Sequence, residues 1–194
     1  MTMSETEKVQ RASGERATSP PKRKGLVIVN TGDGKGKTTA ALGLAFRALG
    51  HRMRVVLIQF IKGQWTPGEV KAAQRLAPEM EIQALGDGFT WVTKDPEQDR
   101  ATTQRIWELA AERILSAAYD LVVLDEANVA MKHGYLDPKQ VIQVLERRDP
   151  LVHVVLTGRG APPEIIEHAD LVSEIRAIKH PFKQGVRAQK GIEF

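Results

Sequence analysis

The chain has 194 residues, 42% of them hydrophobic, and no cysteine. This suits one domain with a sizeable core, excludes disulfides and thiolate metal sites, and points to a reducing, cytoplasmic setting. The net charge of +4 is unevenly placed, with six basic and three acidic side chains in residues 1–24 against 22 basic and 21 acidic in the rest, so the core-bearing part lacks the basic footprint that nucleic-acid binding needs. No apolar run approaches the roughly 18 residues of a membrane span, and "MTMSETEKVQRASGER" lacks the apolar centre of a signal peptide.

Residues 1–24 are polar and include Pro20-Pro21. They carry too little apolar surface to offset the cost of ordering. A disordered leader, or one that orders over a bound ligand, is expected ahead of a domain spanning 25–194. "LVIVN" (26–30) reads as a buried strand and "TTAALGLAFRAL" (38–49) as a helix that stops at Gly50. "VVLIQF" (55–60) is a second strand, "EIQAL" (81–85) a weaker third, and residues 96–118 a long helix opened by Pro96. "LVVLDE" (121–126) is a strand ending in two acids, followed by a helix over 137–147 behind Asp137-Pro138. "HVVLTG" (153–158), a short helix near 163–168 and "LVSEI" (171–175) complete the set. Continuous apolar runs alternating with helices predict an α/β fold, a mostly parallel sheet with helices on both faces. Ligands of such sheets bind at the carboxyl ends of the strands. A glycine-rich loop, Gln59, the Asp125-Glu126 pair and Gly158-Arg159 all fall at such ends.

The loop is "TGDGKGKTTA" (31–40). A phosphate-binding loop has the form Gly, four residues, Gly-Lys-Ser/Thr. Counting back from Gly36-Lys37-Thr38, the first glycine should stand at 31, where the chain has Thr31, and the nearest, Gly32, makes the spacing one residue short. Backbone N–H groups of such a turn cradle anionic oxygens, and the helix behind adds its positive end. Gly32, Gly34 and Gly36 are expected to permit close backbone approach, with Asp33 and Thr39 in the same cradle. Lys37 is expected to supply a mobile charge and the Thr38 hydroxyl to reach Mg²⁺. Lys35 is either a phosphate contact or a solvated charge. "LVVLDE" has the form of a strand that delivers a carboxylate to bound metal. Spacing alone favours Asp125 for the metal, leaving Glu126 as a general base for water. The residues thus give a Mg²⁺-nucleotide enzyme without saying what is done to the nucleotide.

"NTGDGKGKTTAALGLAFRALGHRMRVVLIQFIKG", "GDGFTWVT" (86–93), "LVVLDEANVAMKHGYL" (121–136), "VVLTGRGAPPEIIEHADLVSEI" (154–175) and "KHPFKQGVRAQKGIEF" together resemble, in order, the P-loop ATP:corrinoid adenosyltransferases. The likeness covers about residues 25–194. It implies a P-loop NTPase-like, RecA-like fold and a transferase of an alkyl group other than methyl. In that chemistry the 5′-deoxyadenosyl group of ATP passes to the cobalt(I) of a reduced corrinoid and inorganic triphosphate leaves whole, in adenosylcobalamin biosynthesis or salvage. It implies a nucleotide reversed relative to other P-loop enzymes, an electron donor such as a flavoprotein or reduced flavin, and a homodimer. Carried over by residue, Thr38 and Glu126 match magnesium-associated positions, which moves Asp125 to a residue that orients the site. Arg47 in "AFRALGH" and Arg159 in "TGRG" match arginines near the nucleotide.

Phe89 and Trp91 fall on one side of an extended segment if the chain alternates across Thr90. Core packing is the usual fate of such pairs. The resemblance implies instead that they displace the lower axial ligand of the corrinoid, which eases reduction of four-coordinate cobalt(II). Gln59 and Lys62 are candidate substrate contacts or plain loop structure. His133 and His180 have no paired ligand spacing and are not assigned to a metal. The alternatives are a phosphotransferase or ATP hydrolase, which yields ADP or AMP, and a non-catalytic nucleotide switch. If the axial-ligand role holds, Trp91→Ala impairs adenosyl transfer starting from cobalt(II) more than from preformed cobalt(I). Equal losses in the two anaerobic assays count against it.

Overall fold

Six short strands, each from one of the apolar runs, pair into a single sheet ordered β3-β2-β4-β5-β1-β6 with every pairing parallel. They are β1 (Val27–Thr31), β2 (Val55–Gln59), β3 (Met80–Ala84), β4 (Leu121–Asp125), β5 (His153–Thr157) and β6 (Leu171–Glu174). The structure, a computed structural model, describes residues 23–61, 68–85 and 96–192. Among these the helices are α1 (Lys37–Gly50), α2 (Gly68–Ala73), α3 (Pro96–Leu115), α4 (Ala127–Lys132), α5 (Pro138–Arg147) and α6 (Pro163–His168), with a 3-10 turn at Pro181–Gln184.

Strand alternation divides the core in two. Leu121 and Val123 of β4, with Val55, Leu57, Ile28 and Val155, face α1, which approaches through Ala41, Ala45 and Ala48. Val122 and Leu124, with Val27, Val29, Val56, Ile58, Val154 and Leu156, face α3, α5 and α6. Central strands are therefore apolar on both faces, as parallel sheets require. The edge strand β6 is exposed at all four residues.

Three details differ from the expectations. The long helix stops at Leu115 rather than 118, because Ala117 has a positive φ of 51° and the Ser116 hydroxyl caps the Arg113 carbonyl at 3.0 Å. Helices α2 and α4 are one-and-a-half-turn segments, too short to show a helical apolar period. Strand β1 runs one residue further than "LVIVN" and takes in Thr31.

His153 stands at the opposite, amino edge of the sheet, where its Nδ1 accepts from the Leu26 N–H at 3.1 Å. Burial, then nearby Arg148, hold its pKa below the ordinary 6.5. A depressed pKa means that the neutral ring contributes stability above pH 6.5 and that this is lost as pH falls from there toward the folded value. The thermal midpoint of the chain is expected to fall across that window, and His153→Gln to flatten that part of the profile. An unchanged slope in the variant would exclude His153 as its source.

Candidate active site

Asp125 is the last residue of β4, 4% exposed, and its Oδ1 accepts from the Thr38 hydroxyl at 2.8 Å and the Thr157 hydroxyl at 2.7 Å. Its register partner Gln59, at the end of β2, adds a side-chain hydrogen bond to the same carboxyl. Burial raises the Asp125 pKa, and the bonds from Thr157, Thr38 and Gln59 oppose that rise. The Thr157 hydroxyl also accepts from the Glu126 N–H at 3.0 Å, so one side chain from β5 orders both acids. Glu126 has a left-handed backbone, φ 61°, and starts α4. Burial raises its pKa first, neighbouring Asp125 adds to this, and Lys37 and Arg159 counter it.

Lys37 is 6% exposed and bends back over the loop, where its Nζ donates to the Gly34 carbonyl at 2.6 Å and the Gly32 carbonyl at 2.9 Å. Burial lowers its pKa, against the attraction of Glu126, and Arg159 lowers it further. Thr38 follows Lys37 as the second residue of α1. The structure thus gathers Lys37, Thr38, Asp125, Glu126 and Arg159 at one sheet edge. Asp33, Lys35 and Thr39 are exposed on the loop and the start of α1. Arg47 is exposed in the last turn of α1. Ten residues of helix beyond Lys37 set its backbone about 15 Å away, so it is not brought to the loop. Phe89, Trp91 and Lys62 lie outside the described residues.

Gly32 and Gly34 also approach backbone that the sequence did not name. The Ile175 N–H donates to the Thr31 carbonyl at 2.8 Å, and the Gly34 N–H donates to the Ile175 carbonyl at 2.7 Å. Any Cβ on Gly32 would sit 2.5 Å from the Ile175 carbonyl oxygen, and one on Gly34 would sit 2.7 Å from the Arg176 backbone. These two glycines admit the chain that follows β6. Gly36, with φ 119° and nothing near its absent Cβ, is the one that leaves open space over the loop. The spacing is short because β1 continues through Thr31, the position at which an ordinary loop begins, to pair with Glu174.

Two residues of the site escaped the sequence reading. Thr157 is one of many threonines, and its place at the head of "TGRG" gave the only clue. Asn128 is fully buried, donates to the Gly158 carbonyl at 3.3 Å and leaves its own Oδ1 without a partner. A second unpartnered oxygen, Gln59 Oε1, lies beside the acids.

The family model for ATP:corrinoid adenosyltransferase BtuR/CobO/CobP matches residues 23–194. The chain belongs to that family. It is 44% identical to the corrinoid adenosyltransferase of Pseudomonas aeruginosa over 188 residues, covering 97% of this chain and 89% of that protein. It is 41% identical to the corrinoid adenosyltransferase of Escherichia coli strain K12, covering 97% and 95% respectively. Among solved structures, the flagellar accessory protein FlaH of Methanocaldococcus jannaschii matches at a TM-score of 0.51 and 12% identity, over 78% of this chain and 71% of that one. That likeness is one of fold, a P-loop NTPase-like sheet.

Gly34 isolates the loop's contact with the segment after β6, because its own backbone lies outside the left-handed region and the clash with the Ile175 and Arg176 backbone is what opposes a side chain. Gly34→Ala is expected to cost about 1–3 kcal/mol, through overpacking and a strained Gly34–Ile175 hydrogen bond, and to raise the KM for ATP. Wild-type values for both the unfolding midpoint and the KM would show that the contact is not needed.

Proposed function

We propose that this chain transfers the 5′-deoxyadenosyl group of ATP to the cobalt(I) of a reduced corrinoid. The observation that carries the reading is a phosphate loop whose Thr38 hydroxyl is committed to buried Asp125, in a chain matched to the adenosyltransferase family over residues 23–194. The electron pair of cobalt(I) forms the new bond to C5′, the C5′–O bond breaks, and its electron pair leaves on the oxygen of the intact triphosphate. The enzyme's task is therefore to align C5′ and to stabilise a growing negative charge on the departing oxygen.

The residues divide this work. Lys37 holds two loop carbonyls and exchanges them for phosphate oxygens when ATP binds. Burial has already weakened its hold on the proton, and a polyanion beside it restores that hold. Arg159 stands within electrostatic reach of both Lys37 and Glu126 and neutralises the same charge.

The donor set fits Mg²⁺. Thr38 donates its hydroxyl hydrogen bond to Asp125 and so turns lone pairs outward, and Glu126 adds a carboxylate. These hard oxygen donors are too few for a cation that needs a protein cage, and they suit one that keeps waters and phosphate oxygens. Among the described residues no group of three or more His, Cys, Asp or Glu could hold a metal by itself. We assign Thr38 and Glu126 as the holders of Mg²⁺, with Asp125 orienting Thr38. When bound, the ion adds positive charge against the triphosphate.

Supplying cobalt(I) calls for an electron donor such as a flavoprotein or reduced flavin. We also propose a homodimer, for which exposed apolar side chains such as Phe46, 74% exposed, offer surface, and a cytoplasmic location. Among the described residues no helix is long and apolar enough to cross a membrane.

Anaerobic incubation with Mg²⁺-ATP and a chemically reduced corrinoid is expected to give a light-sensitive cobalt–carbon product together with inorganic triphosphate. Release of ADP or orthophosphate with no change in the corrinoid spectrum would move the reading to a phosphotransferase or ATP hydrolase. Mg²⁺-ATP binding with no turnover would leave a nucleotide switch.

A further inference from the structure

A cavity of about 730 Å³ lies between the phosphate loop and the C-terminal segment, lined by Asp33 of the loop, Arg159 after β5, and Glu174, Arg176, His180 and Lys183 from β6 onward. We propose that this cavity receives the distal phosphates of ATP and holds the triphosphate as it leaves, with Arg176 and Lys183 as its ligands. The proposal rests on the adenosyltransferase reading and extends it to residues that the sequence did not mark.

Three observations carry it. First, loop and wall are one unit, since the Gly34 N–H is bonded to the Ile175 carbonyl and Arg176 follows directly. A ligand seated on the loop therefore meets Arg176 as its next neighbour on that side. Second, the cavity joins the reaction centre through Arg159, which lines it and is also within electrostatic reach of Lys37 and Glu126. Three basic side chains, Arg159, Arg176 and Lys183, face two carboxylates, Asp33 and Glu174, and His180 adds a further hydrogen-bonding ring. That local excess of positive charge occurs in a part of the chain that is otherwise nearly neutral.

Third, the arrangement answers a deficit. The Gly34 N–H is taken by Ile175, so the loop offers one amide fewer to a leaving group of several negative charges. Guanidinium and ammonium groups beside the loop offset it with charge-assisted bonds.

The test is equilibrium binding of inorganic triphosphate, with Mg²⁺, to the full chain and to Arg176→Gln and Lys183→Gln. Each variant is expected to raise the Kd about five- to tenfold, an effect that shrinks as salt is added. The KM for the corrinoid should stay at the wild-type value, and Lys183→Arg should restore most of the affinity. Both positions are exposed, and unchanged unfolding midpoints would separate lost ligands from lost fold. Wild-type triphosphate affinity in both glutamine variants overturns the proposal. So does a loss that falls on the corrinoid KM instead, which would give the cavity to the corrin periphery. Binding needs no turnover, so the two readings fail separately. A wild-type chain that transfers no adenosyl group sinks the function, and variants that bind triphosphate normally in an active chain sink only this site.

Discussion

A carboxylate with almost no access to water is tolerable only if its lone pairs are occupied, and the hydrogen bonds to Asp125 hold the rest of the site in place. Through Thr38, Thr157 and Gln59 this one group ties together α1, β5 and β2 at the point where β4 ends. Thr157 passes the order on, donating to Asp125 and accepting from the Glu126 N–H. That second bond secures a left-handed Glu126 backbone, which costs about 1–2 kcal/mol for a residue with a Cβ. The strain turns the chain sharply out of the sheet, so that α4 starts at once and Glu126 is left beside Lys37 and Arg159 rather than continuing the strand.

The strand order makes this possible. β5 lies between β1, which carries the phosphate loop, and β4, which carries the acids. A hydroxyl at the end of β5 is thus the natural bridge between them, and it needs only a short side chain to reach. The phosphate loop is fixed independently on its other flank. There β1 stays paired with β6 through Thr31 and Glu174, and the pairing passes on to Ile175 and Gly34. The short glycine spacing is the covalent trace of that extra ladder step, not the loss of a residue from an ordinary loop.

Much of this was legible in the sequence because a parallel sheet buried on both faces writes itself as unbroken apolar runs. "VVLIQ", "LVVLD" and "HVVLT" needed no context, and their polar endings marked the working edge of the sheet. Helices α2 and α4 have no room for a period and left no signal, whereas α6, equally short, was read behind Pro162-Pro163. Within the site, spacing alone was enough to place Lys37, Thr38 and the two acids at one sheet edge, whereas the division of roles between the acids came from the family resemblance. The roles of Gly32 and Gly34 were not legible, because a glycine records that a backbone comes close without recording which one. The sequence suggested phosphate as the neighbour, and the fold adds the backbone of Ile175 and Arg176. Thr157 and Asn128 were invisible for a related reason. Their importance lies in partners 32 and 30 residues away, and neither residue type is unusual at a strand end or in a helix.

The family's chemistry clarifies why such a loop is tolerable. An enzyme that attacks phosphorus must hold the terminal phosphate in line with a nucleophile, and it gains from every loop amide aimed there. When the attacked atom is C5′, no phosphorus changes its bonds, and the phosphates need only be held firmly and their charge accommodated as the C5′–O bond lengthens. Surrendering the Gly34 amide to Ile175 costs little under that demand and gives the loop a rigid backing. Rigidity is the more useful property here, because transfer between two bound substrates depends on alignment of cobalt, carbon and leaving oxygen along one line. The sheet centre supplies the fixed point through Asp125, and the β6 edge braces the loop. On this view the departure from the ordinary glycine spacing exchanges one phosphate donor for orientation, and that exchange suits alkyl transfer better than phosphoryl transfer.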